Sequence, residues 1–370
     1  MLKWYKIDSK IIKWIESFLT FRIQRVRLED SLSNWVKVLS GIPQGTILGP
    51  LLFLIYINDI MDVCNEGSDL YVYADDAKIF SHINNIKDVI VLQDNLNSMG
   101  SWIKDWSLKL NINKCRIVSY GRKSNIVHHS YFIEDKLIER VEYINDLGVL
   151  FDSQLKFSLH IKDKVDKAYS RLGLIKRNFK YLSIEAFCLL YKAIVRSHLE
   201  YANSVWNPHN KEDIEILEKV QMRATKLVES IKYLSYEDRL KKLGLPTLKF
   251  RRIRGDLIEV FKIITQNNNS NCQLVFHNNL ALHNNLQTRG NRYKLFQKQV
   301  VYDLRKYFFT NRIIALWNSL PDQVVSSVSL NMFKNRLDRF LHAQNVYYDW
   351  RADLSGTGNL SNFDLKCSFE

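Results

Sequence analysis

The stretch Leu70 to Phe80, LYVYADDAKIF, limits what this chain can fold into more than any other. Leu70, Tyr71, Val72 and Tyr73 run into Ala74-Asp75-Asp76 and leave through Ala77, Ile79 and Phe80. Aromatic and branched residues on both sides of a short polar turn predict a β-hairpin with two carboxylates at its tip. Adjacent acidic residues are disfavoured in a strand pair and repel each other, so the placement costs stability unless solvent or a cation takes up the charge. A hard divalent cation suits the pair. Mg²⁺ binds carboxylate oxygens and keeps its remaining positions for water and phosphate oxygens, as phosphoryl transfer requires. Taken alone, the stretch leaves a second reading open, an Asp-rich surface turn.

Upstream, Ser40-Gly41-Ile42-Pro43-Gln44-Gly45-Thr46 precedes the apolar segment Leu48 to Ile60. Glycines and a proline ahead of such a segment predict a tight turn feeding a buried helix, with Gly45 letting the backbone approach a ligand. SGIPQGTILGPLLFLIYINDI followed by YADD resembles the palm of reverse transcriptases of LINE-type, jockey-like non-LTR retrotransposons. LKLNINKCRIVSY (Leu108 to Tyr120) resembles the next palm motif, DLGVLFDSQLKFSLHI (Asp146 to Ile161) the primer-grip segment, and the helical tail through Leu341 the thumb and C-terminal region. The resemblance covers nearly the whole chain.

The resemblance implies roles for particular residues. Asp75 and Asp76 would hold Mg²⁺ (or Mn²⁺), Asp75 more directly. Gly41, Pro43, Gln44 and Gly45 would line the nucleotide and template side, while Tyr73 and Ala74 would floor the primer terminus. Lys114 would lie near the incoming triphosphate and protonate the leaving group, with an ordinary surface lysine as the alternative. Leu147, Gly148 and Val149 would form the primer grip, where Gly148 also reads as a plain turn or bulge glycine.

Composition agrees with a folded protein that holds a polyanion. At 370 residues, 46% hydrophobic and 25% charged, the chain has ordinary globular usage and room for two or three cores. Its 53 Lys+Arg against 39 Asp+Glu leave a formal charge of +14, which suits nucleic acid or is simply a basic surface. The five cysteines (Cys64, Cys115, Cys188, Cys272, Cys367) show no CxxC or Cys/His spacing. That excludes a zinc knuckle or disulfide framework and predicts a reducing, intracellular setting, cytoplasm and nucleus. The longest apolar run, around Leu51 to Ile57, falls well short of the roughly 20 residues of a membrane span, so no membrane partner is expected.

Along the chain, Ser9 to Phe21 reads as a helix capped by Ser9, and Arg22–Leu28 with Trp35–Leu39 as a hairpin whose Arg22, Arg25 and Arg27 share one face. His82–Met99 reads as a helix interrupted at Gly100, with a second helix from Ser101. Arg116–Tyr120 is an expected strand, Tyr131–Glu142 a strand pair and Leu147–Leu150 a further short strand. After Phe157 helix follows helix. Ile161, Val165, Ala168, Leu172 and Ile175 form an apolar stripe, while Lys164, Lys167 and Arg171 lie on another face as candidates for a phosphate backbone, with a solvated basic face as the alternative. Helices are expected over Ile184–Tyr201 behind Ser183, over Glu212–Ile231, from Ser235 to a stop at Gly244, and over Leu248–Thr265, where Arg251 and Arg252 are further nucleic-acid candidates. Gln266–Asn285 reads as a linker, and Trp317, Leu320 and Phe333 as the core of a small C-terminal unit.

The expected fold is therefore α+β: a partial polymerase palm with an antiparallel sheet and packed helices (1–157), an all-helical thumb-like region (158–265), a C-terminal retrotransposon region (286–345) and a tail (346–370). The implied function is RNA-directed DNA synthesis, with an RNA template, a DNA primer or target and deoxynucleoside triphosphates as partners. Members of that family carry the fingers and a further metal-binding Asp ahead of the segment that begins here at Met1. Asp8 lies in a loop and is not assigned that role, so weakened or absent catalysis, or a non-catalytic RNA- or DNA-binding remnant, is the competing expectation.

Overall fold

The computed structural model describes residues 2–64, 67–121, 127, 129–265, 291 and 293–354. The chain divides into two compact units, Met1–Glu142 and Tyr143–Glu370.

The first unit mixes helices with two-stranded ribbons. Helix α1 (Ser9–Leu19) is capped by Asp8, not Ser9: the Asp8 carboxylate accepts from Lys10 N at 2.8 Å. A carboxylate in the cap position also meets the positive end of the helix dipole. The arginine-bearing hairpin is two short ribbons, β1 (Ile23–Gln24) with β4 (Val36–Lys37) and β2 (Arg27–Leu28) with β3 (Ser31–Leu32), all exposed. Helix α2 (Leu48–Ile57) follows, and then β5 (Ser68–Tyr73) and β6 (Asp76–Ser81) form the expected acidic hairpin.

Helix α3 (Ile86–Asp105) runs unbroken through Gly100, contrary to the interruption expected there. A glycine in a helix costs about 1 kcal/mol. An Asn85–Asp88 capping box and the burial of Val89, Met99 and Ile103 offset that cost, and Gly100 faces Ile133. Met99 and Ile103 pack with Ile60 and Leu70, which fixes the root of the acidic hairpin against α3. Beyond α3 come β7 (Arg116–Ile117), the pair β8 (Phe132–Ile133) and β9 (Lys136–Leu137), and β10 (Glu139–Arg140), which runs parallel to β7. Instead of one palm sheet, the described residues form six separate two-stranded pairs. The α+β class stands.

The second unit opens with the hairpin β11 (Tyr143–Asp146) and β12 (Val149–Asp152), then turns to helix. In α4 (Ser158–Asn178) the stripe Ile161, Val165, Ala168, Leu172, Ile175 is buried throughout. Ser183 caps α5 (Ile184–Leu190) as expected, but the helix loosens into a π turn at Tyr191–Arg196 before α6 (Ser197–Glu200). A short α7 (Asn203–Trp206) leads to α8 (Lys211–Thr225), α9 (Tyr236–Leu243), which Gly244 ends in the left-handed region, and α10 (Leu248–Thr265). These pack around Val149, Phe187, Trp206, Leu217 and Leu240.

Helix α10 ties this core to a second one. Its Phe261 stacks on Phe333, and Trp317, Leu320 and Phe333 are 1%, 3% and 0% exposed, as the sequence predicts. The C-terminal region therefore belongs to the same unit as the helices before it. The start of the expected tail is packed: Val346 is fully buried, and Thr247 N donates to Tyr347 O at 2.9 Å. The expected linker Gln266–Asn285 and the end of the chain from 355 lie outside the described residues. No helix among the described residues is long and apolar enough to cross a membrane.

Candidate active site

Two residues close the acidic hairpin. Tyr73 pairs with Asp76, so Ala74 and Asp75 form the turn and Asp76 opens the returning strand. Ala74 sits at φ 52°, a left-handed conformation that costs a non-glycine residue about 1–2 kcal/mol. The rest of the ladder, from Ser68–Ser81 to Tyr73–Asp76, holds the turn against that cost. Asp75 and Asp76 are exposed and adjacent, and Tyr73 beside them is 65% exposed.

Such a tip fits a hard cation. The two carboxylates offer four oxygens in solvent, the donor type Mg²⁺ takes, and leave room for waters and phosphate oxygens. Among the described residues there is no group of three or more His, Cys, Asp or Glu side chains placed to hold a metal. The two aspartates are thus the donors this site itself offers.

The glycine-proline loop lies in the same unit. Gly41 and Gly45 adopt φ 78° and 83° with open space where a Cβ would stand, and Arg22 donates to Gly41 O. Thr46 Oγ1 donates to Pro43 O at 2.8 Å, which closes the turn while Gln44 stays exposed. Gly49, the second residue of α2, leaves only 3.0 Å to Ile42 Cδ1 for any added Cβ, so the loop packs down on the helix it feeds. Lys114 stands exposed on a single 3₁₀ turn, Ile112–Lys114, of this unit.

The hairpin of β11 and β12 is more tightly determined. Leu147 and Gly148, between β11 and β12, have φ 45° and 81°, the two positive values a type I′ turn demands. Tyr201 Oη donates to Leu147 O at 2.8 Å, Lys164 Nζ to Gly148 O at 2.9 Å, and Leu150 N to His160 Nδ1 at 3.1 Å. The Tyr201 ring lies 3.3 Å from where a Gly148 Cβ would be. His160 is fully buried against Trp206, and burial, followed by repulsion from Lys164, lowers its pKa to about 4. At the foot of β12, Asp152 accepts from Gln154 N, Lys156 N and Phe157 N, which shapes the loop into α4.

Several sequence-predicted contacts are corrected here. Val149 is 3% exposed and faces the helical core, because β12 lies on α4. The Lys164 ammonium is spent on the Gly148 carbonyl and sits 3.6 Å from Asp163. Arg252 is 2% exposed, surrounded by the charges of Glu218, Asp256 and Glu200. Arg251 forms a forked pair with Glu200, with Arg251 Nη2 at 2.8 Å from Oε2. Lys167 pairs with Asp163 at 2.8 Å yet stays 54% exposed, and Arg171 is exposed. These two remain on a surface a phosphate backbone could reach.

Sequence reading missed His160, Tyr201 and the buried polar cluster of α8. Tyr191 donates to Gln221, Gln221 to Tyr236 and to Pro246 O, and Tyr236 to Glu218, which also accepts from Leu248 N at 3.1 Å. Burial raises the Glu218 pKa, opposed by the Tyr236 hydrogen bond and Arg252. A signal existed. Residues 214, 217, 218, 221 and 224 follow one helical stripe, so Glu218 and Gln221 fall on the core face of α8.

The sequence pattern of the family described as reverse transcriptase (RNA-dependent DNA polymerase) matches residues 2–186. The chain belongs to this family. Its similarities lie with LINE-type, non-LTR elements. It is 24% identical over 246 residues to the RNA-directed DNA polymerase from mobile element jockey of Drosophila melanogaster, covering 63% of this chain and 27% of that protein. The jockey protein of Drosophila funebris is 27% identical over 214 residues, 54% of this chain and 23% of its own length. The Drosophila melanogaster protein named "Probable RNA-directed DNA polymerase from transposon X-element" is 28% identical over 225 residues, 58% of this chain and 24% of its length. This reverse transcriptase chain spans about a quarter of the length of these curated relatives. No solved structure matches it.

Proposed function

We propose that this chain is the nucleotide-adding and primer-holding part of an RNA-directed DNA polymerase of a non-LTR retrotransposon, working on an RNA template and a DNA primer with deoxynucleoside triphosphates. The observation that carries the reading is the exposed Asp75-Asp76 tip on a two-residue turn, in a chain of the reverse transcriptase family. Asp75 and Asp76 would hold Mg²⁺, which would supply charge neutralisation for nucleotidyl transfer when bound.

The remaining work falls to the chain's own residues. Tyr73 and Ala74 bring the primer end to the carboxylates. Gly41 and Gly45, with no side chain in the way, let the backbone close on the nucleotide while Gln44 faces the template. Lys114 donates a proton to the leaving group. Lys167 and Arg171 follow the duplex backbone. The chain works inside the cell, in cytoplasm and nucleus.

Primer extension on an RNA template with Mg²⁺ tests this. Asp75→Ala is expected to lower the rate by about 10²–10³-fold, the several kcal/mol of metal-held charge at about 1.36 kcal/mol per decade, with thermal stability unchanged. Extension equal in the variant and the parent would overturn it. Salt-dependent duplex binding without extension by either protein would support the non-catalytic reading instead.

A further inference from the structure

The family pattern ends at residue 186, and Trp317 and Asn318, beyond it in the C-terminal region, have no part in the proposed chemistry. What they do is hold a loop. Trp317 Nε1 donates to Tyr293 O at 2.7 Å, while the Asn318 amide donates to Leu295 O at 2.9 Å and accepts from Leu295 N at 2.8 Å. Leu295 packs into the core at 1% exposure. Further along, Asn311 donates to Arg305 O and Arg312 to Tyr307 O, and Arg312 is itself pinned by Asp256 and Ser204 O. Between these anchors residues 293–308 carry little regular structure beyond one short helical turn, Asp303–Lys306.

Five of these sixteen residues are aromatic, and Tyr293, Phe296, Tyr302 and Phe308 are exposed, Tyr302 by 58%. Lys294, Lys298, Arg305 and Lys306 stand against the single acid Asp303. Arg305 lies 5.5 Å from the Phe308 ring centre and Lys306 5.4 Å from that of Tyr307, which stacks on His209 at 4.0 Å. Exposed apolar side chains recur in the first unit. What singles out residues 293–308 is that rings and cations interleave on a backbone that side chains from elsewhere in the fold hold in place.

We propose that this loop binds single-stranded nucleic acid, with unpaired bases stacking on Phe296 and Tyr302 while Lys298, Arg305 and Lys306 meet the phosphates. A duplex hides its base faces and a single strand offers them, so rings among cations recognise the strand whatever its sequence. A protein partner fits the loop less well, because protein interfaces are depleted in lysine and this loop carries three. The surface goes beyond the proposed polymerase site: it belongs to the other unit from Asp75 and Asp76 and needs neither metal nor nucleotide.

Fluorescence anisotropy with the full chain, in EDTA and without nucleotide, tests the proposal on a labelled RNA strand, the DNA strand of the same sequence and the corresponding duplex. Phe296→Ala with Tyr302→Ala is expected to weaken binding of the single strands about tenfold, with duplex affinity within about twofold of the parent and the melting temperature unchanged, since both side chains are exposed. Phe296→Tyr with Tyr302→Phe keeps the rings and should keep the parent affinity. Lys298→Gln with Lys306→Gln should flatten the slope of log K against log salt on the single strand by about 1.4, the share of two phosphates. Unchanged single-strand affinity in the ringless variant overturns the proposal. So does an equal loss on duplex, the mark of a merely basic surface, or a changed sedimentation of the protein alone, the mark of a protein interface. If the ringless variant loses its cooperative melt, the lysine pair decides, and an unchanged salt slope there overturns the proposal. No synthesis is read in these measurements, so failure of primer extension and failure of this surface are told apart.

Discussion

The two hairpins of this chain are solved differently. The acidic hairpin, with Asp75 and Asp76, stands in a unit whose buried apolar clusters hold four described residues each, and its tip is exposed. The β11–β12 hairpin stands in a unit with clusters of twenty and nineteen buried apolar residues among the described ones, and three side chains hold its tip. Both turns carry a non-glycine residue at positive φ, Ala74 and Leu147. A group that must meet ions and phosphates has to stay solvated, whereas a group that must keep a fixed position needs a core behind it. The contrast follows the general division between loops that do chemistry and scaffolds that aim them.

Core truncation would test that contrast most severely. Phe333→Ala, in a cluster of the larger unit, should cost about 3–5 kcal/mol in chemical denaturation, whereas Met99→Ala, in a four-residue cluster of the first unit, should cost about 2 kcal/mol. Similar losses would mean that the first unit is buried more deeply in solution than its structure implies.

Acid comes next, through His160. Its folded pKa of about 4 lies below the usual 6.5, so the folded chain binds fewer protons than the unfolded one between those values. The stability it contributes is complete above pH 6.5 and is lost as pH falls toward 4, by about 3 kcal/mol. Burial of the ring is the main cause, Lys164 and Lys167 add repulsion, and Asp163 offsets part of it. Denaturation midpoints measured across that range should fall in the parent and flatten in His160→Asn, which keeps an acceptor for Leu150 N without a titrating ring.

The smallest effect should come from Gly148→Ala. Its φ of 81° and the Tyr201 ring 3.3 Å away should cost about 1–2 kcal/mol. A neutral result would show that the turn relaxes more readily than its three anchors suggest.

Much of this was legible in the chain itself. Aromatic and branched residues on both sides of the polar turn at Ala74-Asp75-Asp76 predicted the hairpin and its tip. The stripe of α4 and the core residues Trp317, Leu320 and Phe333 followed from spacing and size. Misreadings came where a residue's partner is distant in sequence. Gly100 read as a break because the helix cost is local and the compensating burial is not. Arg251 and Lys164 read as free cations because their partners, Glu200 and Gly148, are 51 and 16 positions away in the chain, and Arg252 because its burial is set by the packing of the helices and not by its neighbours in sequence.

By itself the sequence determined the elements with strong periodicity, the acidic turn and the membership in a reverse transcriptase family, since each depends on neighbours within a few residues or on a motif held in order. Tertiary structure alone decided which charges remain available. A basic side chain is free or spent according to what the fold brings within about 3 Å of it, and for Lys164 that neighbour is the carbonyl of a turn whose strained residue, Leu147, faces outward.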